Sequence, residues 1–271
     1  MIHPQPRTRF NSPRLIRMLS ALGGPECGAD AAESVSFAER LSRWIALTDA
    51  IGLSRALAAA VREPAPAAGA QDMAAALRGL QAQLSRLRES LTAVESGNGA
   101  LPRGRVRLPA APAGASGIEG VDFTPYRHFY LAQQRDLEAN VGLLRAAARE
   151  ALGGLPTAAR ALREIDGALQ AALAERERSL LAGIPRLLER RFEALRVAAA
   201  ASPAANDAAA WMQPGGWLAT FRGELLAVLE AELELRLQPV SGLMETLEQG
   251  ISADAAFAAL SPHTMATHNE Q

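Results

Sequence analysis

Apolar residues recur along most of this chain at spacings of three and four, the period of a helix buried on one side. The longest such stretch runs from Phe123 to Val197. Thr124 is placed to cap a helix there, with Pro125 at the first helical position, where its missing N–H costs nothing. Tyr130, Leu137, Val141, Leu144, Ala148 and Leu152 then mark one face. After the break Gly153-Gly154-Leu155-Pro156, Thr157 caps a second run with Leu162, Ile165, Leu169, Leu173, Leu180, Ile184, Leu188, Phe192 and Leu195. So short a connection predicts antiparallel neighbours, a helical hairpin of 124–152 against 157–197. At about 1.5 Å per residue the arms span roughly 40 and 60 Å, so the second outlasts the first. Gly183-Ile184-Pro185 falls where the first arm runs out, and proline inside a helix kinks or stops it. A bend within Ala182 to Arg186 is therefore expected, with Leu188, Phe192 and Leu195 turned onto a helix that begins near Trp217.

The remaining elements follow the same logic. Ser12-Pro13 opens a short helix through Leu22, with Leu15, Ile16, Leu19 and Leu22 on one side, and a loop runs from Gly23 to Ser34. Ser36 with Glu39 forms a capping box for a helix to about Val61. Its apolar face takes in Phe37, Leu41, Trp44, Ile45, Ile51 and Leu57, and Gly52 weakens its middle. From Asp72 to Glu95 the spacing of Met73, Leu77, Leu80, Leu84, Leu87, Leu91 and Val94 alternates four and three, a coiled-coil seam. Its flanks (Gln81, Gln83, Arg88, Ser90) carry little charge and specify a partner poorly. Packing against the protein's own helices is the favoured expectation. Self-association into a homo-oligomer, or a partner helix on Leu84 and Leu87, is the alternative. Linkers rich in alanine and proline occupy 96–122 and 198–215. The last strong helix carries Leu218, Phe221, Leu225, Val228, Leu229, Leu233, Leu235 and Leu237 to a break at Pro239. Val240, Leu243, Met244 and Leu247 resume the face, and 254–260 adds a turn or two. With no strand alternation, the fold class is all-α, an elongated helical bundle. Its regions are 1–95, a linker at 96–122, the hairpin plus C-terminal helix at 123–250, and a tail at 251–271.

Composition narrows the chemistry. Hydrophobic residues make up 49% of the chain and aromatics 4%. Much of the apolar content is alanine, which favours helix but buries little area. Net charge is −1, so no global field draws the protein to nucleic acid or membrane. Every cationic residue of the 28 is arginine. Without lysine, a P-loop, a Schiff-base lysine and a serine–lysine dyad are excluded. The single cysteine, Cys27, excludes an internal disulfide and multi-cysteine zinc sites. MIHPQPRTRF lacks the apolar run of a signal peptide, and no uncharged apolar stretch is long enough to span a bilayer. A cytoplasmic protein without membrane insertion is expected.

No catalytic or metal-ligating set emerges, so the expectation is a protein without enzymatic activity or cofactor. The histidines (His3, His128, His263, His268) are scattered. His128 sits within the aromatic stretch Phe123 to Tyr130. The simpler reading of that stretch is an aromatic plug, the sharper one a partner hot spot built from Tyr126, Arg127, His128 and Tyr130. Arg7, Arg9, Arg14 and Arg17, with the comb Arg103, Arg105 and Arg107 in the first linker, are the candidates for phosphate contacts in a nucleic-acid-binding effector. Few aromatics are present to stack on bases, which argues against sequence-specific RNA reading. Glu224, Glu230, Glu232, Glu234, Glu245 and Glu248 read as a solvated helix face or, alternatively, a dock for a basic partner. Glu175-Arg176-Glu177-Arg178 reads as a salt-laced helix surface.

Three stretches resemble a known family. They are Arg7-Thr-Arg-Phe-Asn-Ser-Pro-Arg-Leu-Ile-Arg17 with Ser36-Phe-Ala-Glu-Arg-Leu41 and Trp44 to Leu53; Gln134-Arg-Asp-Leu-Glu-Ala139 with Arg176-Glu-Arg178 and Leu187-Leu-Glu-Arg-Arg-Phe192; and Leu229 through Pro239 to Leu243. Together they are similar to an uncharacterised proteobacterial family, domain of unknown function 3348, over nearly the whole chain. The family has no catalytic residues to carry over. What the resemblance implies is company: an OmpA-like cell-wall-binding protein and a membrane protein with a long helical tail, similar to a proton-driven inner-membrane motor and to Zorya-type anti-phage systems. The expected role is a cytoplasmic helical accessory or effector of such a machine.

Overall fold

A computed structural model describes residues 14–23, 47–62, 70–96, 106–110, 117–155, 157–202 and 205–260. The described residues are mostly helical, with no strand among them. The helices are α1 (Arg14–Gly23), α2 (Leu47–Arg62), α3 (Ala70–Ser96), α4 (Thr124–Ala151), α5 (Thr157–Leu181), α6 (Ile184–Ala200), α7 (Ala208–Trp211) and α8 (Trp217–Leu260). Single 3-10 turns at Ile118–Gly120 and Leu152–Gly154 precede α4 and follow it. The chain divides into two compact units of interleaved segments, the first within 1–33, 105–134 and 183–235, the second within 34–104, 135–182 and 236–271.

The first unit is organised by an aromatic core. Phe192 of α6 lies 5.6 Å from Phe123, 5.8 Å from Tyr126, 5.3 Å from Trp217 and 5.0 Å from Phe221, ring centre to ring centre. Tilted and edge-on rings at such distances contribute about 0.5–1.5 kcal/mol per pair beyond their buried area. The break that the proline predicts is present. The chain leaves α5 after Leu181, turns through Ala182 and Gly183, and re-enters a helix at Ile184 with Pro185 in its first turn. Leu188 and Phe192 are buried and Leu195 half-buried, so Phe192 meets α8 as its spacing requires.

In the second unit the α4 face predicted from periodicity is the buried one: Leu137, Val141, Leu144, Ala148 and Leu152 are all interior. Arg145 grips Asp166 of α5 through two hydrogen bonds of 2.9 and 2.6 Å, and Arg149 reaches Asp166 and Gln170. Leu155, in the turn after Leu152–Gly154, is buried, and its side chain packs where a Cβ on Gly250 of α8 would lie. On α3, Met73, Leu80, Leu87 and Leu91 are buried and Leu77 and Leu84 half-buried, and Gln81 bonds Glu248 of α8.

Five expectations need correction. Ile51 and Leu57 do not lie on the apolar face of α2 but are 46% and 48% exposed. Among the positions of this helix whose burial is described, Asp49, Leu53 and Ala56 are the half-buried ones, and the helix packs on α5. The proposed start of that element at Ser36, with Trp44, lies outside the described residues. Leu180 is 58% exposed rather than on the buried face of its arm, and Ile16 likewise points away from the buried Leu15. Pro239 does not break the last helix, since α8 continues through it. The lost hydrogen bond and clash cost about 3 kcal/mol. Val240, Leu243, Met244 and Leu247 are all buried beyond it, each contributing about 1.5–3 kcal/mol, and they hold the chain helical. Thr124 is the first helical residue of α4, not its cap: Phe123 O accepts from Arg127 N, and Asp122 Oδ1 accepts from Thr124 N.

Candidate partner-binding surfaces

The start of α4 divides the Tyr126–Tyr130 stretch between two faces. Residues 126, 129, 130 and 133 turn inward, while Arg127 and His128 turn outward. The four candidate residues therefore do not form one surface patch. Burial pushes the Tyr126 hydroxyl above its ordinary range, and the Arg222 guanidinium pulls it back in part without hydrogen-bonding geometry. Arg222 instead donates to the carbonyl of Pro109. The Asp122 carboxyl is held below the usual carboxylate range because Thr124 donates to it.

Tyr130 leads to a site the sequence reading missed. Its hydroxyl donates to Glu232 Oε2 of α8 at 2.7 Å, and Gln134 Nε2 lies 3.2 Å from both carboxyl oxygens. Glu232 is completely buried, so the expected solvated acidic face does not include it. The reason is register. Leu225, Val228 and Leu229 are interior, and a residue three or four places further falls on the same face. Beside this group the Gln133 amide nitrogen is buried without a hydrogen-bond partner.

The other glutamates stay nearer water. Glu230 and Glu234 accept from Arg14 of α1 at 3.0 and 2.8 Å, and Glu224 takes a two-pronged contact from Arg191 at 2.8 and 2.6 Å. Both hydrogen-bonded arginines are raised above their ordinary range by these carboxylates. In the second unit Glu177 pairs with Arg236 at 3.0 Å. Exposed pairs such as those of Arg14 contribute about 0.2–1 kcal/mol.

A family model described as a protein of unknown function (DUF3348) matches residues 1–249. The chain belongs to the DUF3348 family. No curated protein and no solved structure gives a match. The DUF3348 match takes in α1 to α7 and α8 as far as Gln249.

Within this DUF3348 chain the arginine candidates are dispersed. Arg14 is committed to two glutamates, Arg17 has a partner, and Arg107 is exposed. Arg7, Arg9, Arg103 and Arg105 lie outside the described residues. Leu87 is buried and Leu84 half-buried, so the seam is covered by the chain's own residues. Of the large apolar side chains among the described residues, Leu143 on α4 is the most open at 72%. No group of metal-binding side chains occurs among the described residues. No helix among them is long and apolar enough to cross a membrane.

Proposed function

We propose that this protein is a non-enzymatic helical interaction module of the cytoplasm, an accessory or effector of a proton-driven inner-membrane motor with an OmpA-like component, serving anti-phage defence. The observation that supports this reading is the outward face of the later half of α4. Ala139 and Leu143 are exposed there at four-residue spacing, and Ala147, four further, is half-buried. Exposed Ala146 widens this apolar strip, and exposed Glu150 bounds it at its far end. A leucine this open, on a helix anchored below by Arg145 and Asp166, is the kind of rigid apolar anchor that a partner's helix covers. The long helical tail expected of the motor-like membrane protein is the partner of matching chemistry.

Co-purification tests the proposal. The wild-type protein is expected to retain the helical tail and Leu143→Arg to lose it, with no change in the melting temperature of the isolated protein, because the side chain contributes little to its fold. Equal retention by both proteins would refute the α4 face. The nucleic-acid reading has less support, since Arg14 is occupied by acidic partners. Its signature would be duplex DNA binding that weakens steeply with salt, one phosphate contact adding about 0.9 to the log–log slope.

A further inference from the structure

The part of α4 that lies in the second unit carries a pattern with the same spacing from either end. Arg135, Ala139, Gly142, Leu143, Ala146 and Glu150 fall on one side of the helix, at steps of four and three on each side of the adjacent pair Gly142 and Leu143. Gly142 is half-buried and the other five are exposed, Leu143 the most open of the large apolar side chains described. A Cβ on Gly142 would meet nothing within 4 Å, so beside Leu143 the surface is an open notch edged by the two alanines. Glycine weakens a helix relative to alanine, and this one stands well inside a helix of 28 residues. At the two ends of the pattern, Arg135 and Glu150 have no hydrogen-bond or ion-pair partner among the described residues.

We infer that this face of α4 is covered by the same face of a second copy of the chain, paired antiparallel about a two-fold axis between Gly142 and Leu143. The order of the residues selects that occupant. Positions equally far from the axis fall opposite each other: Leu143 against Gly142, Ala139 against Ala146, and Arg135 against Glu150. The two-fold axis makes each contact twice, so each leucine enters the other copy's notch and each end closes on a pair of opposite charges. Parallel pairing sets leucine on leucine and like charge on like charge instead. The inference rests on the Leu143 face being the docking surface, and states what holds that face when the motor's helical tail is absent. One helix face buries less than the about 1,200 Å2 of a standard interface. The dimer is therefore a weak, micromolar one that the tail displaces, and the dilute protein melts as a monomer.

Sedimentation equilibrium of the full chain tests the pairing. The wild type is expected to exchange between monomer and dimer in the micromolar range, and Leu143→Arg to stay monomeric. Arg135→Glu and Glu150→Arg each set like charges opposite one another, and each is expected to weaken self-association at least about tenfold. Mixed in equal amounts, these two variants are expected to recover a dimer, because both end pairs are then opposite in charge. Circular dichroism of each is expected to match the wild type, since both positions are exposed. A wild type that stays monomeric throughout the micromolar range, a dimer indifferent to Leu143→Arg, or charge variants that fail to recover a dimer on mixing would each overturn the inference. A monomeric wild type that still retains the tail overturns the pairing alone. A dimer that retains no tail supports the pairing and overturns the motor reading.

Discussion

Replacing Tyr130 by Phe removes a single oxygen from the interior and leaves the ring in place. Tyr130 is fully buried, and its hydroxyl sits 2.7 Å from Glu232 Oε2 in a site closed to water. Gln134 still reaches both carboxyl oxygens, but at 3.2 Å, so it cannot replace the shorter bond without moving. A buried acceptor that loses its donor costs about 1–3 kcal/mol. A value of about 2 kcal/mol lowers the melting temperature of a protein this size by about 4–8 °C. Glu232→Leu in the same background removes the acceptor as well. If the two groups act through each other, the double variant Tyr130→Phe/Glu232→Leu is less destabilised than the sum of the singles by about 1–2 kcal/mol. Urea unfolding followed by circular dichroism gives all four stabilities. Additive losses, or a Tyr130→Phe midpoint indistinguishable from wild type, would refute the view that this hydrogen bond holds α4 to α8.

Tyr126→Phe has the opposite expectation at neutral pH, a stability equal to wild type or higher, because it deletes a buried hydroxyl without a hydrogen bond. Burial holds the Tyr126 hydroxyl above its ordinary value of 10.0, so wild-type stability falls as the pH rises past 10.0 through the folded value. That fall is absent from Tyr126→Phe, and thermal melts from pH 8 to 11 measure it. The double substitution Leu84→Asp/Leu87→Asp lowers the melting temperature while the native mass in solution is unaffected, with most of the loss from the buried Leu87. Loss of an oligomer with the melting temperature intact would instead make the seam an assembly surface.

How much of the fold the sequence discloses depends on how one-sided each helix is. On α4 the apolar positions are separated by polar ones, and every residue from Tyr130 to Leu152 that the period selects is interior. On α2 the period selects nothing. Ile51, Leu53 and Leu57 with several alanines place apolar side chains all round, and only packing on α5 chooses Leu53 and the small Ala56 over the larger Ile51 and Leu57. At Pro239 a local penalty is outweighed by burial on both sides, a balance visible only once the partners of α8 are known. The cap of α4 shifts by a residue or two because Phe123 is drawn into the aromatic core and Asp122 is left to accept from Thr124.

Glu232 was legible in principle, since seven residues, two helical turns, separate it from the buried Leu225. What obscured it is that a carboxylate flanked by leucines reads as a solvated position until its partner is found. The partner has a form that recurs. Tyr130 and Gln134, four apart on α4, converge on Glu232, and Arg145 and Arg149, again four apart on α4, converge on Asp166. Residues four apart rise about 6 Å along a helix, so a single acid from a neighbouring helix fits between their tips. Shifting either pairing by one turn would remove at least one donor and leave a buried acid short of partners, which costs more than a displaced leucine contact. Apolar faces that slide past one another with little loss are thereby fixed in register by two polar clamps on one helix. An acid at a core position should accordingly be read together with a search for donors spaced four apart, before it is assigned to solvent.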